Sequence, residues 1–374
     1  MKTIAFYLPQ FHEIELNNIH HGKGFTEWTN VKKAVPLYHN HNQPRIPLDN
    51  NYYNLLDKDT LIWQTDLARK YNIYGFCMYH YWYSGKKLLE KPVELYLNTK
   101  NANLPFCLCW ANHSWSKTWT QSTEVMQLQT YGDEAEWKEH FEYLLPFFKD
   151  SRYIKNDNKP LFVIYLPQDI PNCKRRFELY NKLAIENGFA GIDFAFQEVK
   201  FASNPKNDIE HFSYGIEYQP GYAIYNYRSK IEQSIRNTGL KFLDFIEKKF
   251  HIGFNINLKK NEKLDYVAIN ERIVKTKPLN KKMIPGCFVD FDNTPRKKEF
   301  GMSFINNTPE NFEKYFRLQV QRAREVYEKD MLFITAWNEW AEGAYLEPDT
   351  KNNYKYLEII KKVLSELNEV PLYE

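Results

Sequence analysis

The chain has 374 residues, more than one minimal domain requires, and this length suits one large α/β barrel or two smaller domains. Its formal net charge of +3 is small and has no basic tail, so nucleic-acid binding is not indicated. No apolar run reaches membrane-spanning length. Met1 leads directly into a strand-like run, and the five cysteines are an odd number. We therefore expect reduced thiols and a cytoplasmic protein.

Short apolar or aromatic runs recur along the chain, and charge-patterned, helix-like segments lie between most of them. The predicted strands are 3–8, 73–79, 105–110, 161–166, 191–196, 213–218, 284–290 and 332–337. The predicted helices are 58–71, 133–149, 174–187, 227–250 and 309–329, with a surface helix near 264–275. Alternating strands and helices predict a parallel sheet, and eight strands predict a single (β/α)8 barrel over residues 1–374. Long loop excursions are expected at about 9–57 and 250–283.

Polar and aromatic residues follow nearly every predicted strand, and others lie in the 9–57 excursion. In a barrel, the carboxyl ends of the strands meet at one rim, so these residues are predicted to line one cleft. An ordinary strand-to-loop transition favours Gly, Asn, Asp and Ser rather than repeated Tyr, Trp, His and Glu. The predicted binding residues are Tyr7, Gln10, Glu27, Trp28, His80, Tyr81, Trp82, Trp110, Asn112, Glu217, Gln219, Asp290, Asp292, Trp337, Asn338 and Trp340.

The last predicted strand ends in Trp337-Asn338-Glu339-Trp340-Ala341-Glu342. Paired carboxylates break glycosidic bonds, and sugar faces pack on aromatic rings. If one helical turn follows the strand, Glu339 and Glu342 share a face. The alternative is a plain helix N-terminus, where the helix dipole favours Glu. Two acids after a buried strand, flanked by Trp and Asn, favour a catalytic role for both.

Other chemical motifs are weak. Asp290-Phe291-Asp292 is an Asp-x-Asp pattern that suits a divalent ion and a sugar nucleotide, but no glycine-rich phosphate loop accompanies it. The pair His39 and His41 lacks a third ligand at suitable spacing. No nucleophilic serine motif is present. We therefore expect no metal and no cofactor, and we interpret Asp290 and Asp292 as substrate-binding residues at the rim.

Several stretches together make the chain similar to a known family. It resembles the WbsX-like bacterial polysaccharide-biosynthesis proteins, which are similar to the glycoside hydrolase family 99 endo-α-mannosidases. The resemblance covers about residues 3 to 348. The matching stretches are Ala5–His12, Gly22–Asn30, Gln43-Pro44-Arg45, Gly75-Phe76-Cys77, His80-Tyr81-Trp82, Phe106–Asn112, Asp292–Arg296 and Ala336–Gly343.

The resemblance implies a (β/α)8 barrel with a carbohydrate substrate. It implies that Glu339 is a base acting on the substrate's 2-hydroxyl and that Glu342 is the general acid and later the base for water, with retention of stereochemistry. From the residues alone, two carboxylates in different environments can divide acid and base roles. The chain departs from the family pattern at His113 and Phe291. The first departure affects a binding subsite, and the second affects packing or stacking.

Three functions follow as hypotheses. The first is a retaining glycoside hydrolase or transglycosylase acting on a bacterial surface polysaccharide (capsule or O-antigen) or its precursor. The second is a glycosyltransferase of lipopolysaccharide or capsule biosynthesis. The third is a non-catalytic glycan-binding barrel. In each case the partner is an oligo- or polysaccharide, whereas the sugar, its linkage, endo or exo action and the oligomeric state stay open.

Overall fold

Nine parallel strands form the centre of the computed structural model, which describes residues 1–116, 125–198, 209–227 and 261–373. Strands that are consecutive in the chain are hydrogen-bonded to each other, except β7 and β8, and β1 pairs with β9. The strands are β1 (Lys2–Tyr7), β2 (Gly75–Tyr83), β3 (Phe106–Trp110), β4 (Lys159–Ile164), β5 (Asp193–Glu198), β6 (Tyr214–Glu217), β7 (Met283–Ile284), β8 (Gly286–Phe288) and β9 (Met331–Thr335).

The seventh position of the barrel is shared by β7 and β8, which are separated only by Pro285. β7 pairs with β6, and β8 pairs with β9, so each of the two segments pairs with the neighbouring strand on one side of the barrel. Proline has no N–H to donate, but its carbonyl accepts a hydrogen bond from Phe333 N at 3.2 Å. The predicted (β/α)8 barrel is therefore confirmed, with its seventh strand divided.

Helices lie between the barrel strands as predicted. The α-helices are α1 (Glu15–His21), α2 (Glu27–Lys33), α3 (Lys58–Lys70), α4 (Glu90–Asn98), α5 (Glu134–Lys149), α6 (Cys173–Glu186), α7 (Gly221–Tyr227), α8 (Tyr266–Lys275), α9 (Thr294–Lys297), α10 (Pro309–Glu325) and α11 (Lys355–Glu366). Side chains cap the N-termini of several helices. The Asp57 side chain accepts a hydrogen bond from Asp59 N at the start of α3, and the Thr308 side chain accepts one from Asn311 N at the start of α10. The helix predicted at 227–250 lies, except for its first residue, outside the described residues.

The two expected excursions have structure of their own. Residues 9–57 contain α1, α2 and a 3-10 turn at Leu48–Asn50. The second excursion, 250–283, includes α8 and a short strand, Glu262–Asp265, which pairs with Met302–Ile305. Its residues 250–260 lie outside the described part of the chain.

The second strand is longer than predicted. β2 continues to Tyr83 because its last residues pair with the antiparallel strand Lys86–Leu88. His80, Tyr81 and Trp82 therefore lie within the strand rather than after it, and successive side chains point to opposite faces. This alternation decides which of the three reaches the centre of the barrel.

Aromatic rings fill much of the barrel interior. Phe6 packs against Tyr79, Tyr218 and Phe333, with ring centroids 5.1 to 5.9 Å apart. These four side chains come from four different strands or strand ends, so each contact joins segments that are distant in the sequence. The aromatic-rich composition thus supplies a core that closes the barrel below the rim.

A side-chain clamp joins the first and last strands at that rim. Leu8 N donates to Asn338 Oδ1 at 2.7 Å, and Asn338 Nδ2 donates to Leu8 O at 3.1 Å. Asn338 thereby satisfies both backbone groups of Leu8 as a paired strand would. The clamp fixes the backbone immediately before Glu339 against the end of β1.

The contact between β6 and β8 predicts a stability effect at Gly286. A methyl group on Gly286 would lie 1.9 Å from the carbonyl oxygen of Glu217, so Gly286→Ala must displace one of the two strands. We expect a loss of about 1–3 kcal/mol or more, as for other overpacked cores, measured by thermal and urea denaturation. The exposed control Glu325→Ala should unfold like wild type. A Gly286→Ala protein as stable as wild type would contradict this packing.

Candidate active site

Three glutamates share one arginine at the rim of the barrel. Arg296 Nη2 lies 2.9 Å from Glu27 Oε2 and 3.6 Å from Glu339 Oε2, and Arg296 Nη1 donates to Glu342 Oε1. Glu27 comes from α2, Arg296 from α9 and the other two glutamates from the segment after β9. One positive charge therefore faces three acidic groups, which cannot all be neutralised by it.

The turn that carries the two adjacent acids is held by its backbone. Asn338–Glu339 pairs with Ala344–Tyr345, and Trp340–Glu342 forms the single helical turn between them as a 3-10 turn. The carbonyl of Glu342 accepts from Asp292 N at 2.6 Å. Gly343 has φ 63°, and a Cβ at this position would lie too close to the guanidinium of Arg45. The carbonyl oxygen of Gly343 accepts a hydrogen bond from Arg45 Nη1. The orientation of Glu342 thus depends on loops from two other parts of the chain.

Burial differs strongly among the acids. The side chain of Glu27 is 0% exposed and that of Glu339 is 7% exposed, whereas that of Glu342 is 28% exposed. Burial raises the pKa of Glu339, the negative charge of Glu342 raises it further, and Arg296 opposes both. Burial likewise raises the pKa of Glu27 against the effect of Arg296. The site therefore separates a buried, easily protonated acid from a more exposed one.

A cleft of about 560 Å³ opens over Glu339 and Glu342. Its size suits a small organic ligand or a few sugar units. Its walls combine aromatic rings with polar and basic groups. The lining includes Leu8, Gln10, Tyr79, Tyr81, His113, Trp115, Tyr165, Tyr218, Phe291, Arg296, Lys297, Glu339 and Glu342.

Of the residues predicted to bind substrate, Gln10 and Tyr81 line this cleft together with both predicted catalytic acids. Gln10 Nε2 donates to the Tyr81 hydroxyl at 2.9 Å, while Gln10 Oε1 is buried with no partner among the described residues. Glu27 lies behind the cleft and reaches it through Arg296. The structure thus brings together residues that are more than 300 positions apart in the sequence.

Five predicted rim residues do not line the cleft but face outward from the barrel instead. Tyr7 donates to Gln64 in α3, and His80 lies 2.9 Å from His140 in α5, where burial lowers its pKa to about 3. The same outward direction is taken by Trp82, Trp110 and Glu217. The prediction of one shared cleft was wrong for these residues, because alternate side chains of a strand point to opposite faces.

Other predicted residues support the rim from below. Asn112 exchanges hydrogen bonds with the backbone of Leu166. Trp340 stacks on Tyr345 with ring centroids 3.8 Å apart and donates to Glu347. The remaining two indoles, Trp28 and Trp337, are buried against other aromatic rings. Together with Asn338, these side chains position the acids and do not border the cleft.

Gln219 and the two aspartates lie at neighbouring cavities. Gln219 accepts from Ala223 N and borders a cavity of about 280 Å³ that also contains Glu217. Asp290 and Asp292 border a cavity of about 240 Å³ on the far side of the turn. Their expected place in the substrate cleft was therefore wrong, since both point away from Glu339 toward Arg45.

The aspartate pair is occupied by protein donors. Arg45 Nη2 lies 2.7 Å from Asp290, and Asp292 accepts from His41 and Gln43. Burial would raise the pKa of Asp292, but these hydrogen bonds and Arg45 lower it to about 2. Within the described ranges, no group of three or more His, Cys, Asp or Glu residues suits a metal ion. The Asp-x-Asp pattern is explained by this network.

Sequence reasoning missed two groups at the centre of the site. Arg296 carries the charge that the three acids share, and Tyr79 forms a wall of the cleft beside Tyr165 and Tyr218, two of the aromatic residues at the ends of predicted strands. Tyr79 has a signal in the strand period, because it lies two residues before Tyr81 and so points to the same face. In the sequence, Arg296 was indicated only by its place in the stretch Asp292–Arg296, which matches the family pattern.

The fold and the site define a barrel protein with paired acids in a cleft at its rim, and comparisons with known proteins agree with the fold. A family model described as "Glycosyltransferase WbsX" matches residues 3–360. The chain therefore belongs to the WbsX family, as the sequence motifs predicted.

Two curated relatives are named "Uncharacterized protein WxcX" and come from two strains of Xanthomonas campestris pv. campestris. Each is 30% identical over 373 residues, covering 98% of this chain and 50% of the relative. The chain thus spans about half the length of these relatives.

Solved structures show the same architecture. The GH99 endo-α-mannosidase from Bacteroides thetaiotaomicron superposes with a TM-score of 0.56 at 16% identity, covering 99% of this chain and 98% of that one. Its complex with Bis-Tris propane gives a TM-score of 0.55 at 16% identity, with 98% and 97% covered. A protein titled "Glycoside hydrolase-like protein" gives 0.56 at 13% identity, with 97% and 93% covered. These likenesses establish the barrel fold.

No helix within residues 1–116, 125–198, 209–227 and 261–373 combines the length and the apolarity needed to cross a membrane.

Removal of Arg296 should destabilise the protein far more than removal of a surface arginine. Arg296→Met leaves Glu27 buried beside two other acids, and breaking a buried ion pair costs about 3–5 kcal/mol. The control is Arg317→Met, which breaks an exposed pair with Glu366 and should cost about 0–1 kcal/mol. Urea denaturation of both variants gives the comparison. Equal losses would show that Arg296 is not the buried counter-ion.

The protonation of Glu339 predicts a pH-dependent stability effect. The pKa of Glu339 is higher in the folded protein than the ordinary 4.5. Proton binding to this carboxyl group therefore favours the folded state, and this contribution to the free energy of unfolding is fully present below about pH 4.5. That contribution is lost as the pH rises through the folded pKa. Glu339→Gln removes this loss and should be more stable than wild type by about 1–3 kcal/mol at pH 8, with little difference at pH 4.5. A pH-independent difference in melting temperature would refute the shift.

Proposed function

We propose that the protein is a carbohydrate-active enzyme and that Glu339 and Glu342 are its catalytic acids. The observation that carries the proposal is the state of Glu339. Its Oε2 is buried and accepts no hydrogen bond from a described residue, while the Glu339 side chain borders an open cleft. A substrate hydroxyl is a donor of the kind that this oxygen lacks. Burying an acid in this way costs stability and is typical of functional sites.

The more exposed Glu342 suits proton exchange with a leaving group and with water. It borders the same cleft and is held at its backbone by Asp292, while Arg296 binds its carboxylate. A carboxyl group that is partly exposed at a cleft can exchange a proton with a leaving group and with water without leaving the site. Glu339 and Glu342 thus occupy the different environments that a division of acid and base roles requires.

The reaction we propose is retaining glycoside hydrolysis or transglycosylation. Glu339 accepts the proton of the 2-hydroxyl, whose oxygen attacks the anomeric carbon while Glu342 protonates the departing glycosidic oxygen. Glu342 then takes a proton from water or from an acceptor sugar, whose oxygen attacks the anomeric carbon and breaks its bond to the 2-oxygen. The 2-oxygen regains its proton from Glu339, and two displacements retain the configuration.

The substrate we propose is a bacterial surface polysaccharide or its precursor. Two observations support it: the chain belongs to the WbsX family, and its barrel is similar to that of the Bacteroides enzyme, which is titled an endo-α-mannosidase. The tyrosine-lined cleft supplies faces on which sugar rings stack. Because several tyrosines line the cleft, an oligosaccharide is favoured over a single sugar as the substrate.

A glycosyltransferase is the second candidate, because the matching family model bears that description. A retaining transferase can use the same two acids, with a sugar nucleotide or a lipid-linked sugar as the donor in the first step. The two candidates therefore share the site and differ in the molecule that donates the sugar.

The test uses the host's surface polysaccharide with wild type, Glu339→Gln and Glu342→Gln, followed by NMR of the anomeric protons. We expect wild type to release a sugar of retained configuration and each variant to lose about 10²–10⁴-fold in rate, the usual contribution of a general acid or base. The exposed control Glu325→Gln should react like wild type.

The outcomes separate the candidates. New linkages, formed only when a sugar nucleotide or lipid-linked sugar is added, would assign the transferase. Wild-type turnover in either acid variant would contradict the assignment of both acids. Glycan binding that survives loss of both acids, with no turnover by wild type, would identify a non-catalytic barrel.

A further inference from the structure

A second, larger cavity adjoins the proposed active-site cleft. Its volume is about 730 Å³, and Arg296 and Lys297 line both spaces. The walls come from α1, α2, the segment after α2 and α9 with the residues that follow it. A chain of sugars that leaves the cleft past Lys297 therefore enters this cavity.

Basic residues dominate the charged groups of this cavity. Lys33, Lys297 and Lys298 line it together with His20 and His21, whereas Glu299 is the acidic residue in the lining. Lys33, Lys297 and Lys298 are exposed, and no ion pair joins them to a carboxylate of the described residues. The charge of Arg296 is already met by Glu27 and Glu342. The cavity consequently holds an excess of uncompensated positive charge.

One of these lysines has a strained backbone conformation. Lys298 has φ 50°, in the left-handed region that favours glycine, and it ends α9 directly after the shared residue Lys297. Strained residues of this kind collect at binding sites, where their position matters more than local stability. Helix α2 adds Lys33 at its last turn while its first residue, Glu27, binds Arg296. The basic wall is thus built on the same helix as the acid cluster.

We infer that this basic cavity binds an anionic group of the substrate, a carboxylate or a phosphate, next to the bond on which the proposed active site acts. The inference rests on the proposed function for the identity of the substrate. A carboxylate belongs to an acidic sugar of the glycan itself, and a phosphate belongs to a diphosphate-linked sugar. Both are recognised by lysine charges at the mouth of a cleft, whose attraction falls as salt rises.

The experiment measures binding rather than turnover, so it fails separately from the proposed function. Isothermal titration calorimetry would use trigalacturonate, inorganic pyrophosphate and neutral maltotriose as probes at two salt concentrations. The test variant is Lys33→Gln with Lys298→Gln, neither of which belongs to the acid cluster. The matched control is Lys138→Gln with Lys281→Gln, which removes the same charge from exposed lysines elsewhere.

We expect at least one anionic probe to bind wild type and to weaken with salt. The dissociation constant should rise about three- to ten-fold in the test variant and stay unchanged in the control, because each exposed charge pair contributes modestly. Binding of trigalacturonate alone assigns an acidic glycan, and binding of pyrophosphate alone assigns a phosphate-linked sugar. No anion binding, or equal weakening in both variants, would overturn the inference.

Discussion

One arginine surrounded by three carboxylates is the interaction on which the rest of the site depends. Arg296 bridges α2, α9 and the turn after β9, and its partners come from residues 27, 339 and 342. Burial would lower the pKa of the guanidinium, but the three acids raise it, so it stays charged. Burial raises the pKa of Glu339, and the negative charges of Glu342 and Glu27 raise it further because a single cation serves all three acids.

The barrel supplies the rigidity that this cluster needs. Asn338 clamps the turn to β1, Asp292 and Arg45 hold its far side, and Trp340 with Glu347 fills the space beneath it. Burial raises the pKa of Glu347 to about 7, although it accepts hydrogen bonds from Trp340, Gln64 and Tyr53. The acids thus sit on a support of fully buried polar contacts rather than on a mobile loop, as an active site requires.

Much of the fold and part of the site could be predicted from the sequence. The eight apolar runs marked the barrel strands because fully buried parallel strands need continuous apolar residues. Glu339 and Glu342 could be singled out as candidate acids because both lie within seven residues of the end of β9. Local patterns were sufficient in both cases.

The remainder depends on contacts that local patterns do not contain. Because a hairpin extends β2 to Tyr83, His80 and Trp82 point toward α5, and Tyr81, which lies between them, points into the cleft. The partnership of Arg296 with Glu27 joins residues 269 positions apart. Asp290 and Asp292 have a metal-like pattern, but their donors lie near residue 41 and residue 45. Such pairings follow from the closed barrel, not from spacing along the chain.

The most direct measurement is the titration of the glutamate side chains by NMR, with ¹³C-labelled glutamate in wild type, Glu339→Gln and Arg296→Lys. We predict that wild type has several glutamates with a pKa above 4.5, Glu347 and Glu27 among them, and that one of these signals is missing in Glu339→Gln and changes its pKa in Arg296→Lys. If every glutamate signal attributable to Glu339 titrated near 4.5 and ignored the change at Arg296, the shared-charge cluster would not control the site, and the assignment of Glu339 as its base would be contradicted.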